Sequence, residues 1–107
     1  MTDELDALVR RVLPPAFRAR GLVDAASSIE TSGLAAFDQA ALQAHALYAH
    51  DFDAQALSRA CVLIQGYRWG VSPYYDGRPA TISTITRWVI ALCSGAESKW
   101  RSVEVAP

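Results

Sequence analysis

The densest gathering of chemically versatile side chains in this chain lies between residues 67 and 88. Tyr67, Arg68 and Trp69 precede a turn-rich stretch, Tyr74, Tyr75 and Arg78 lie within it, and Arg87 and Trp88 follow it. Five of the seven tyrosines and tryptophans fall in these 22 positions. Each of these residue types joins a large flat surface to a directional polar group, the combination enriched in binding hot spots. The chemistry they offer is recognition, and all eight are candidate partner-binding residues. A competing reading keeps Tyr67 and Trp88 in the core and leaves the loop tyrosines to anchor an exposed turn.

Catalytic chemistry is harder to place. There is no Gly-rich phosphate loop, no Gly-x-Ser-x-Gly elbow and no His-Glu-x-x-His. His45, His50, Asp51 and Asp53 are the candidate metal ligands, but a histidine spacing of i, i+5 turns the two rings onto different helix faces. No metal or other cofactor is expected. Cys61 lies on the apolar stripe of its helix and Cys93 stands beside Leu92. Neither has the helix N-terminus or cationic neighbour that activates a thiol, so both read as inert. No carboxylate pair is placed to work as acid and base. The expectation is a chain that is not an enzyme by itself.

The elements that position these residues are read from periodicity. Thr2 caps a first helix, with Asp3 and Glu4 in its first turn. Leu5, Leu8, Val9, Val12 and Leu13 form one stripe, and Pro14-Pro15 is expected to end it, followed by a short turn before Gly21. Leu22, Ala25, Ala26 and Ile29 share the face of a second helix, with Gly33 as its stop. Asp38 reads as the cap of a third, running to about His50, with Ala41, Leu42, Ala44, Leu47 and Tyr48 available for packing. Asp53 reads as the cap of a fourth, with Phe52 stapled onto Leu57. Its stripe runs through Leu57, Ala60, Cys61, Ile64 and Tyr67 to a stop at Gly66 or Gly70.

Residues 70–80 carry loop signals: Pro73, Asp76-Gly77 and Pro79. Thr81–Thr86 is β-branched and strand-like. Ile82, Ile85, Val89 and Leu92 nevertheless keep helical spacing, which favours a helix from about Ser83 to Ser94, with Gly95 as stop. The tail from residue 96 to 107 has no helical register; it is expected to be extended, with Trp100 pinning it to the body.

The resulting expectation is an all-α chain: one domain spanning residues 1–107, a compact bundle or orthogonal array of four to five short helices with an extended tail. Length, 51% apolar residues and 20% charged residues suit a single core that buries roughly two thirds of the unfolded surface. The longest uninterrupted apolar run, Trp88–Cys93, is far short of a bilayer crossing. Alanine occurs 19 times, and arginine outnumbers lysine nine to one. The arginine bias reads as codon usage in GC-rich DNA, while the alanines favour helix and close helix approach. Two cysteines and no charged-then-apolar leader suggest a reducing cytoplasm rather than a secreted disulfide scaffold.

Three functions fit. The first is a non-catalytic interaction subunit (adaptor, accessory subunit or inhibitor) with a protein partner or a second copy of itself. The second is a nucleic-acid-associated helical module, with Ser83–Trp88 in the segment Pro79–Ala91 as its recognition helix. A net charge of −1 and a preceding connection too long for a helix-turn-helix speak against that reading. The third is an accessory subunit that completes an enzyme site on a partner.

Overall fold

A computed structural model describes residues 2–69 and 81–94. These residues form five α-helices and no strand: α1 (Thr2–Ala19), α2 (Val23–Ser32), α3 (Leu34–His50), α4 (Gln55–Trp69) and α5 (Ile82–Cys93). Successive helices along α1–α2–α3–α4–α5 are packed neighbours, and α1 touches all four others. The expected all-α bundle is the observed fold. Its core is one continuous cluster built from Leu5, Leu8, Val9, Leu13 and Phe17 of α1, with Ile29, Phe37, Leu57, Ile64, Ile85 and Val89 facing them.

The first helix does not stop at Pro14-Pro15 but runs through both prolines to Ala19. Each proline lacks the N–H that would bond the carbonyl four residues earlier, a cost of about 3 kcal/mol per interior proline. Against this, Phe17 is fully buried, and truncating such a ring typically costs about 3–5 kcal/mol. Pro14 is itself fully buried. The stripe continues unbroken from Leu13 to Ala16 and Phe17, and burial overrides the local stop. The residues expected as a short turn, 15–20, are therefore helical or cap the helix. The true stop is Gly21 at φ 82°. Leu22 N–H bonds the Phe17 carbonyl at 2.9 Å and Gly21 N–H bonds that of Arg18 at 3.0 Å, the two bonds of a Schellman motif.

The second helix has the expected buried face, Ala25, Ala26 and Ile29, and the expected stop, Gly33, at φ 56°. The third starts at Leu34 rather than at Asp38. Leu34 and Phe37 are buried, which draws the extra turn into the helix and leaves Asp38 on its flank. Leu42, expected among the packing residues, is 64% exposed.

Before α4 a single 3-10 turn, Phe52–Ala54, intervenes. Its cap is Asp51, whose Oδ1 accepts the Asp53 N–H at 3.0 Å, and Asp53 is not the cap. The extra turn carries Phe52 away from Leu57. Phe52 is 68% exposed, and its ring tilts against Tyr48, centroids 6.2 Å apart. The buried stripe Leu57, Ala60, Cys61 and Ile64 is as expected, with the helix passing through Gly66 to Trp69.

The Thr-rich segment is helix, with Ile85, Trp88, Val89 and Leu92 buried. Thr81 caps it: its Oγ1 accepts the Thr84 N–H at 3.3 Å. The helix ends at Cys93, with Ser94 bonded back to Ile90. The expected 70–80 loop, the Gly70 and Gly95 stops and the 96–107 tail lie outside the described residues.

Candidate partner interface

The eight candidate recognition residues separate in space. Trp88 is buried and Tyr67 packs half-buried against the core, as the competing reading of the sequence had it. Arg87 is exposed on α5. Tyr74, Tyr75 and Arg78 lie outside the described residues. Arg68 and Trp69 stay together at the end of α4. Arg68 donates from Nη1 to both carboxylate oxygens of Asp38 on α3, each at 3.4 Å, and Trp69 is 61% exposed.

The surface around Trp69 is set by α3 and α4. Ala35, Gln39, Leu42, Ala46 and Ala49 of α3 are all exposed, at alternating spacings of four and three that place them on one stripe. The 17 residues of α3 hold one carboxylate, Asp38, and no lysine or arginine. On α4, Val62 lies two turns before Trp69 on the same face, and it too is exposed.

The seam between the helices is held by polar contacts. His45 Nδ1 lies 2.6 Å from Ser58 Oγ, and His45 Nε2 lies 3.4 Å from Gln65 Oε1. The Ser58 hydroxyl and the Gln65 amide, both on α4, thus meet the two ring nitrogens of one α3 side chain. Leu42 is one turn from both Asp38 and His45, and Val62 is one turn from both Ser58 and Gln65. Leu42, Val62 and Trp69 therefore run along this seam. Sequence reading missed Leu42 and Val62. The available signal was the lack of charge on α3.

Ser58 is only 6% exposed, and its contact with His45 joins α4 to α3. Burial pushes the Cys61 thiol far above its ordinary range, with Cys93 nearby adding to the shift. Burial alone pushes Cys93 up to about 12. Neither is a thiolate at neutral pH. Among the described residues no three His, Cys, Asp or Glu side chains gather as a metal site, and no helix is long and apolar enough to cross a membrane.

In the segment considered for nucleic acid, the Thr86 hydroxyl bonds the Ile82 carbonyl at 2.7 Å. The Thr84 hydroxyl lies 3.1 Å from that of Thr81. Within Ser83–Trp88, α5 leaves Ser83 and Arg87 exposed. Comparison of the chain with known protein families, with curated proteins and with solved structures finds no match to any of them.

Proposed function

We propose that this chain is a non-catalytic helical interaction subunit, an adaptor, accessory subunit or inhibitor, that binds a protein partner along the α3–α4 seam. The observation that carries the reading is the 61% exposure of Trp69 beside an uncharged helix face. Leu42 and Val62 extend the apolar strip, and Arg68, oriented by Asp38, supplies a directional polar group at its edge. An exposed aromatic next to aliphatic neighbours and an arginine has the composition of a hot spot with its rim. Engagement of His45 with Ser58 and the raised pKa of both thiols favour this reading over a catalytic one.

The test is paired affinity capture with the full chain and its Trp69→Ala variant from the organism of origin. The expected result is a protein enriched by the wild-type chain and lost at least tenfold by the variant, at equal melting temperatures. Equal capture by both chains overturns the assignment. Light scattering that gives twice the chain mass, and a monomer for Trp69→Ala, identifies the partner as a second copy.

A further inference from the structure

A second apolar surface lies between α1 and α5. Val12, Pro15 and Ala16 of α1 and Ile90 and Cys93 of α5 line an open groove of about 380 Å³. Arg11 and Ser94 also border it. Ile90 is 41% exposed, although it stands on the helix that carries Ile85, Val89 and Leu92 into the core. Arg11 is exposed and has no ion-pair partner among the described residues.

We propose that this groove is the docking site of the chain's own residues 95–107, with Trp100 seated between α1 and α5. Three observations select this occupant. The segment starts at the groove, because Ser94 borders it and residue 95 is the next in the chain. It is long enough: 13 residues span up to about 43 Å when extended, at roughly 3.3 Å each. The α1 wall, from Arg11 to Ala19, covers only about 12 Å at 1.5 Å per helical residue. Its content also fits, since Trp100, Val103 and Val105 are the apolar groups of a segment otherwise rich in charge and small residues. Glu97, three residues beyond Ser94, is the first carboxylate able to meet Arg11. An indole fits within a groove of this volume, and burying one removes about 150–250 Å² from water, as such rings commonly do.

The test uses Cys93, which lines the groove, as reporter and Cys61, which lies in the core, as internal reference. Native-state alkylation by iodoacetamide is followed at each cysteine by peptide mass spectrometry. It compares the full chain with full-length Trp100→Ala and Ile90→Glu variants. Expected is labelling of Cys93 at least tenfold faster in both variants, with Cys61 unchanged. Unchanged Cys93 rates in the variants overturn the proposal, as does protection that grows with protein concentration, which would put a second copy in the groove. If labelling of Cys61 shows that a variant has unfolded, fluorescence of the wild-type chain minus that of Trp100→Phe decides. A blue-shifted, iodide-protected Trp100 contribution supports docking, and a water-exposed one overturns it.

Discussion

The carboxylate of Asp6, in the second turn of α1, accepts the backbone N–H of Leu34, the first residue of α3, at 2.9 Å. The N-terminus of α3 is thus capped by a residue 28 positions away, while the local cap position is held by Gly33, which has no side chain. The same carboxylate accepts Arg10 Nε at 2.8 Å. Arg10 in turn donates to the carbonyls of Glu30 and Thr31 at 3.0 and 3.3 Å. One ion pair on α1 therefore places negative charge at the start of α3 and positive charge at the end of α2, each matching the helix dipole it meets.

Gly33→Ala is expected to be among the most damaging single substitutions. A Cβ there would run into Asp6 Oδ1 and come within 2.6 Å of Arg10 Nε, at a residue whose φ is +56°. With ψ at −128° the residue sits in the mirror-β region that glycine alone adopts readily, where a side chain costs about 1–3 kcal/mol, and loss of the displaced cap adds about 1 kcal/mol. Urea unfolding should show a combined loss of about 2–4 kcal/mol, and an unchanged midpoint would refute the account.

Stability should depend on Asp6 ionisation. The Leu34 N–H, and after it the Arg10 guanidinium, hold its pKa below the ordinary 3.8. A carboxyl group depressed in the folded state stabilises above its unfolded pKa and loses that contribution as pH falls through the folded one. Wild type and Asp6→Asn should therefore differ by a constant amount above about pH 5, well clear of the unfolded pKa. The gap should close as the pH drops below 3.8. Paired denaturation curves at neutral and acid pH measure it, and a gap that widens in acid would contradict the assignment.

Cys61 should label slowly in the native state and rapidly after denaturation, because it is fully buried between α4 and its neighbours. Cys61→Ser should cost on the order of 1–3 kcal/mol for a buried hydroxyl without a designed partner. Rapid native labelling at Cys61 would show that its helix face had been misassigned.

Phe17→Ala should destabilise by about 3–5 kcal/mol, as much as a central core position, although it follows two prolines. Calorimetry or denaturant titration measures the loss. A cost under about 1 kcal/mol, the level of an ordinary surface change, would mean that the last turn of α1 is not anchored by its ring.

Most of the fold was legible because its signals are local. The stripes of α2, α4 and α5 repeat at 3.6 residues, and Gly33 marks its turn by being glycine. Misreadings fell where a distant residue outweighs a local one. Pro14-Pro15 reads as a stop until Phe17 is known to be buried. Asp38 reads as a cap because Asp6, the actual cap, cannot be connected to Leu34 by spacing. At the candidate interface, Arg68 and Trp69 stand out by residue type. The exposure of Leu42 does not, since the alanines on both sides of α3 leave the inward face undetermined until neighbouring helices choose it. Trp88 could be read from sequence either as a contact or as core, and it is helix rotation that sends it inward and Trp69 out.

Contact between α1 and α5 also fixes when the molecule can be finished. A helix forms within about a microsecond, but Leu92 is synthesised 75 residues after Phe17, roughly 4–15 s later at 5–20 residues per second. During that interval α1 can pair with α2 and then α3, through the Asp6–Leu34 and Arg10–Glu30 bonds, while its α5-facing flank stays bare. The nascent chain thus emerges with its first helix waiting for its last described one. The bonds at the α2–α3 corner join residues within the first 34 positions, so they need nothing from α5.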